Sequence, residues 1–258
     1  MISLENITKT AGKKRILDTV NAEFPEKAFS LLTAKKDNGK TTLCRILAGE
    51  LLPDSGKIIK KNSSLRAFAD EEGDFFPEFT VSECREMWNL LYPSFDDETF
   101  DRLTADTDIT SGTKIHNLSK ETKKWLKISL VLSSNAEIMI FDDPALDIAT
   151  ELKDKLLNLL KESAENGKCV IVAAEETGDF ESLATNIFVL NNGDIVLASE
   201  ISGLLSSHRL LPGATTISPD YDVVGPVFNE RLVKTTDDIG RNATLKEIIT
   251  GYINGSSS

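Results

Sequence analysis

Cysteine and histidine are scarce in this 258-residue chain. Its three cysteines, Cys44, Cys84 and Cys169, stand far apart and in no CxxC spacing. That excludes a disulfide framework and a zinc cluster, and it points to a reducing, cytoplasmic setting. The two histidines, His116 and His208, have no Cys or His beside them and read as structural or surface residues. No apolar run approaches the ~18 residues that a membrane span requires. The opening Met1-Ile2-Ser3-Leu4-Glu5 lacks a basic flank leading into an apolar run, so no signal peptide is expected. Positive charge is in the minority, 29 Lys and Arg against 41 Asp and Glu, a net charge of −12. Such a balance argues against a nucleic-acid partner and against adhesion to an anionic membrane surface. Any membrane role is expected to come through a partner protein.

What is present fits one globular domain with an accessory piece, or two small domains. Hydrophobic residues make up 40% of the chain, enough for a sizeable core. Ile2, Leu4 and Ile7 lie in an extended run, Ala11-Gly12-Lys13 makes a turn, and a second run covers 16–24, which predicts a β-hairpin. Residues 29–33 form a short apolar strand, broken by Lys35-Lys36-Asp37-Asn38-Gly39. From Thr41 the apolar residues Leu43, Ile46 and Leu47 recur at helical spacing, and Gly49 stops the run. A turn over 53–56 follows, and Ile58 opens another strand.

A mainly helical insertion then interrupts this α/β pattern. Thr80 and Glu83 form a capping box ahead of a helix carrying Met87, Trp88 and Leu91, which Pro93 ends. A second short helix is expected over 96–103, and a third after Leu118-Ser119, with Trp125, Ile128 and Leu132 on one face. The α/β pattern resumes with a compact strand over 137–141, an amphipathic helix over 152–160 stopped by Asn166-Gly167, and an apolar strand over 169–174. A hairpin around Asn192-Gly193 follows. Beyond it the expectation is a helix near 201–208, a few short strands, a helix from about Leu245, and a frayed tail at 255–258.

Apolar strand, loop, Gly39-Lys40-Thr41-Thr42, amphipathic helix is the context in which a phosphate-binding loop is credible. Loop N–H groups and the helix N-terminus present positive charge to a phosphate. Lys40 would reach terminal phosphates and the Thr41 hydroxyl would hold Mg²⁺. The pattern GxxxxGK[ST] is met with Ala34 at the first glycine position and with Asp37 and Asn38 inside the loop. An anion at Asp37 weakens the site, and Lys35 and Lys36 partly compensate.

With that loop in place, residues 1–205 resemble the nucleotide-binding subunit of an ATP-binding cassette (ABC) transporter, nearest the bacterial ABC-2-type branch. The stretches that carry the resemblance are TTLCRILAGELLPDSGKI (41–58), FFPEFTVSECREMWNLLYPSF (75–95), IMIFDDPALD (138–147) and ATNIFVLNNGDIVLASE (184–200). It implies an α/β P-loop NTPase fold over 1–210, with an antiparallel β subdomain and an inserted helical subdomain over about 75–134. A small accessory region would cover 211–254. ATP and Mg²⁺ are the implied cofactors. Integral membrane subunits and a second cassette are the implied partners, with the chain on the inner face of the membrane.

Carried over residue by residue, the resemblance gives an altered site. The adenine-stacking aromatic falls at Ala11 and the magnesium-sensing glutamine at Glu71. The signature LSGGQ becomes Leu118-Ser119-Lys120-Glu121-Thr122, which keeps Ser119 and puts Glu121 toward a partner's γ-phosphate. Asp142 is the Walker B aspartate that holds Mg²⁺, and Asp143 replaces the water-polarising glutamate. Glu175 replaces the histidine that closes on the γ-phosphate, and the loop after Walker B is two residues short. Asp143 and Glu175 are therefore degenerate catalytic positions, and slow or absent hydrolysis is expected. A heterodimer in which this chain is the regulatory half follows, with a nucleotide-independent scaffold on the same fold as the alternative.

Overall fold

The computed structural model describes residues 1–60, 64–70, 76–217, 219 and 221–256. Among them, the hairpin of β1 (Ile2–Ala11) and β2 (Lys14–Phe24) turns at Gly12, which takes a left-handed φ of 59°. β3 (Ala28–Ala34) is buried at every position. α1 (Lys40–Ala48) follows and ends at Gly49, and β4 (Ser55–Lys60) returns to pair with β1 in a three-stranded antiparallel sheet.

The central sheet runs β5 (Arg66–Ala69), β6 (Ile138–Asp142), β7 (Cys169–Ala173), β3, β8 (Asn186–Asn191) and β9 (Asp194–Glu200). All neighbours are parallel except the β8–β9 hairpin. Its inner strands β3, β6 and β7 are buried at every position, as a sheet covered on both sides requires. Phe29, Leu31, Met139, Phe141, Val170 and Val172 point into one core. Their alternating neighbours Leu32, Ile138, Ile140, Cys169 and Ile171 point into the other, where α1 packs Leu43, Cys44, Ile46 and Leu47. β5 had no counterpart in the sequence expectation, because four residues are too few for a period to show.

The insertion holds α2 (Val81–Leu91), α3 (Asp97–Thr104) and α4 (Lys120–Ser133). The Thr80–Glu83 capping box is formed in both directions. Trp125 of α4 is fully buried and donates Nε1–H to Leu103 O at 2.9 Å, which ties α4 to the end of α3. α5 (Thr150–Glu165) buries Leu156 and Leu160.

After α6 (Ile201–Ser207) the short strands form a sheet of their own: β11 (Asp222–Val227), β12 (Glu230–Lys234), β10 (His208–Pro212) and β13 (Arg241–Asn242), in that order. β10 crosses position 210, where the sequence places the end of the cassette. The last helix, α7 (Leu245–Gly255), packs on this sheet and runs up to Gly255. Asn191 holds that end: its Nδ2 donates to Ile253 O at 3.0 Å and to Ser256 Oγ at 2.6 Å. His208 is fully buried beside Tyr252 and is structural.

Candidate functional site

β3 delivers the chain into the loop at the C-terminal edge of the parallel sheet, where α/β folds place their ligand sites. Ala34 is the last residue of β3 and is buried. Asp37 (φ 62°) and Gly39 (φ 93°) take left-handed backbone in the following turn. Gly39 is required by space as well, since an added Cβ would stand 3.0 Å from both Ile16 O and Ile16 Cγ2 of β2. Asn38 braces the loop from the far side, its Oδ1 accepting the N–H of Asn192 at 3.3 Å. Among the described residues no side chain caps the N-terminus of α1. Its first-turn N–H groups therefore suit an external anion.

Lys40, the first residue of α1, is buried. Its Nζ donates to Asp142 Oδ1 at 3.3 Å and to Asp143 Oδ2. Burial pulls the ammonium's pKa down, but Asp142 and Asp143 together outweigh it, and the net shift is upward. Lys40 is therefore charged at neutral pH. One turn on, burial and then Asp142 push the Cys44 thiol well up, so it stays protonated and inert.

Asp142 ends β6 with no exposed surface, and its Oδ2 has no hydrogen-bond partner among the described residues. A buried carboxylate oxygen without a partner is a hard-cation ligand by its chemistry and fits Mg²⁺. Lys36, Lys40, Thr41 and Thr42 line a cleft of about 1070 Å³ together with Asp143, Glu175 and Asp179. Glu175 is exposed, and its backbone N–H donates to Asp143 Oδ1 at 3.0 Å. The cleft thus joins three loops, and its lining mixes carboxylates with lysines, so a cation brought by a polyanion would favour binding beside Asp143 and Glu175.

Ala34 and Ser119 stand outside the cleft around Lys40. Ala34 lines a smaller neighbouring cleft of about 260 Å³, walled by α7. Ser119 is exposed outside the Lys40 cleft, capping α4 by accepting the Thr122 N–H at 3.0 Å. Glu71 lies outside the described residues. Glu121 is also tied within the chain: its Oε1 accepts the N–H of Ala149, the cap of α5, at 2.7 Å. The carboxylate expected to face a second chain's phosphate is engaged within its own chain.

Sequence reasoning missed Lys14 and Lys153, both of which line the cleft. Lys153 pairs with Asp179 at 2.8 Å, a contact between α5 and the loop after β7 that no local pattern reveals. It also missed Lys124, which is buried beneath α4. A signal was available there, because position 124 shares a helix face with Ile128.

A sequence model described as ABC transporter matches residues 17–146, just over half of the chain. ABC transporter G family member 20 of Dictyostelium discoideum is 21% identical over 210 residues, which cover 76% of this chain and 29% of that protein. The chain thus spans under a third of that relative's length. The energy-coupling factor transporter ATP-binding protein EcfA2 of Clostridium tetani is 24% identical, with 92% of each chain covered. Among solved structures, the post-hydrolysis dimer of the ATP-binding cassette MJ0796, bound to ADP and Pi, superposes with a TM-score of 0.68 at 21% identity. That match covers 78% of this chain and 99% of the other. The chain belongs to the ABC transporter family, and its fold is that of the family's ATP-binding cassette.

Proposed function

We propose that this chain is the weakly hydrolytic or regulatory half of a heterodimeric ABC transporter, held at the inner face of the membrane by integral membrane subunits. Its cassette would cover 1–210, with the helical subdomain over about 75–134 and an accessory region over 211–254. Lys40, Asn38, Gly39 and the amides of the loop would hold the phosphates of ATP. Thr41 and Asp142 would hold Mg²⁺, and Glu71 is assigned to that cation by resemblance alone. When bound, Mg²⁺ would bring the positive charge that lets a polyanion stand beside these carboxylates.

The observation that carries this reading is the charge set around Lys40. One buried ammonium faces Asp142 and Asp143, and Asp37 and Glu175 border the same cleft. Phosphoryl transfer needs negative charge neutralised and water positioned. Here the Asp143 carboxylate is one methylene shorter than a glutamate and is already drawn to Lys40 and to the Glu175 amide. A misplacement of about 1 Å costs ~10²-fold in rate. With Ala11 in place of an aromatic, preference for adenine should be weak.

The same ion pair favours a second reading, a nucleotide-independent scaffold, because Lys40 has its charge satisfied within the chain. Calorimetry with Mg²⁺ and ATP separates the two. Binding lost in Lys40→Ala supports the transporter subunit, and no binding by the native chain supports the scaffold. A turnover of about 1 s⁻¹ or more, abolished by Lys40→Ala, would overturn the weakly hydrolytic assignment.

A further inference from the structure

Lys124 lies in the second turn of α4 and is only 2% exposed. A lysine buried to that degree needs its donors met. Its Nζ donates to Asp143 O at 2.8 Å and to Leu146 O at 2.7 Å. The Asp143 carbonyl also accepts the Leu146 N–H at 3.2 Å, so the ammonium closes over a tight turn. Asp143 (φ 43°) and Asp147 (φ 58°) bound that turn in left-handed backbone. Surrounding contacts must impose such a conformation on a residue with a Cβ.

From the opposite side, Asp143 N donates to Ala173 O of β7 at 2.8 Å. The Asp143 backbone is therefore gripped at both its N–H and its carbonyl. What remains free is the carboxylate, which is delivered to Lys40 and to the Glu175 amide. Two further ties run parallel: Glu121 to the Ala149 N–H, and Lys120 to Asp147 at 3.2 Å. The second is an exposed ion pair, and such pairs contribute little.

We propose that Lys124 is a positioning residue of the nucleotide site: it sets the Asp143 carboxylate through the backbone of 143–147 without touching nucleotide. A displacement of the first turns of α4 then reaches the Asp143 backbone through Lys124. Only the second readout below rests on the nucleotide-binding assignment.

The test uses the full chain with Lys124→Met, Lys124→Arg and, as a surface control, Lys120→Ala. Without nucleotide, the backbone amides of 145–149 should exchange with deuterium about ten-fold faster in Lys124→Met. β6 and β7 should stay protected. Lys120→Ala should leave the loop unchanged, and Lys124→Arg, which keeps a cation and its donors, should restore most of the protection. With Mn²⁺ and ADP as probes, the Mn²⁺ paramagnetic spectrum should change in Lys124→Met and recover in Lys124→Arg. Unchanged loop exchange in folded Lys124→Met overturns the proposal. Equal loss with Met and Arg also overturns it, since packing alone then explains the effect. Should Lys124→Met fail to fold, Lys124→Gln decides by the same comparison. A native chain that binds neither Mn²⁺ nor ADP overturns the nucleotide assignment instead, and loop exchange still judges Lys124.

Discussion

Lys40 donates to Asp142 across 102 positions of sequence, at 3.3 Å, and the same ammonium reaches Asp143. One cation at the start of α1 thus holds the end of β6 and the residue after it. Two carboxylates this close to one buried lysine repel a polyanion unless one of them is neutralised. At an effective dielectric near 20, a like charge at 4 Å costs about 4 kcal/mol, and solvent in the open cleft reduces that severalfold. Asp143→Asn keeps the shape and removes one charge. It should tighten binding of Mg²⁺ and ATP by about ten-fold. Calorimetry on the two chains measures it, and equal or weaker affinity in the variant would contradict this electrostatic account.

Phe76 is 59% exposed, and its ring centroid lies 5.0 Å from that of Phe79, which packs against the core of the helical insertion. Phe76 thus stands at the surface while Phe79 serves packing. Phe75 lies outside the described residues. Phe76→Ala should change stability by less than about 1 kcal/mol and detach the chain from membranes. Phe79→Ala should cost about 2–4 kcal/mol, because it opens a cavity. Thermal melts beside membrane co-sedimentation separate these outcomes. Full retention of Phe76→Ala on membranes would rule out docking at this surface.

The central sheet was legible because β3, β6 and β7 are short continuous apolar runs, and the phosphate loop because Gly39-Lys40-Thr41 stands between such a strand and a helix. Capping boxes were equally plain at Thr80, since their signals lie within four residues. What escaped depends on contacts between distant segments. Glu121 reads as an intruder in a glycine motif until its bond to the Ala149 N–H is seen. Lys124 is one of several lysines in α4, and although it shares a face with Ile128, its bonds to the 143–146 turn appear only in the tertiary fold. The sheet of β10 to β13 had weak alternation, and its strands pair out of sequence order.

Arg241 bridges Glu230 and Glu247 at 2.5 and 2.6 Å, and Glu247 is also the capping-box residue of α7. The Arg241 hydrogen bonds lower the Glu247 pKa from 4.5 to about 2. A carboxyl depressed in the folded state stabilises it fully above the unfolded value and loses that contribution as pH falls through the folded one. The sensitive window is therefore pH 4.5 down to about 2. Amide exchange in α7, compared with that of β7, should rise as pH falls through this window. Glu247→Gln should flatten the dependence, and an identical profile in the variant would exclude this origin.

The last prediction concerns self-association. A nucleotide-sandwiched pair of identical chains would bring each Glu121 and Lys120 to the other chain's cleft, where Asp37, Asp143 and Glu175 already stand. Within this chain Glu121 caps α5, and a charged acceptor at a helix N-terminus contributes about 1 kcal/mol. Turning it outward would give up that bond and add a carboxylate beside phosphate. Both terms oppose the homodimer. The purified chain should therefore remain monomeric by light scattering at micromolar concentration with saturating Mg²⁺ and ATP. Glu121→Gly should lower its stability by about 1 kcal/mol while easing dimer formation. An intact second cassette should form a nucleotide-dependent pair with the native chain more readily than the chain does with itself. A tight nucleotide-dependent homodimer of the native chain would overturn the assignment of this subunit to a mixed pair.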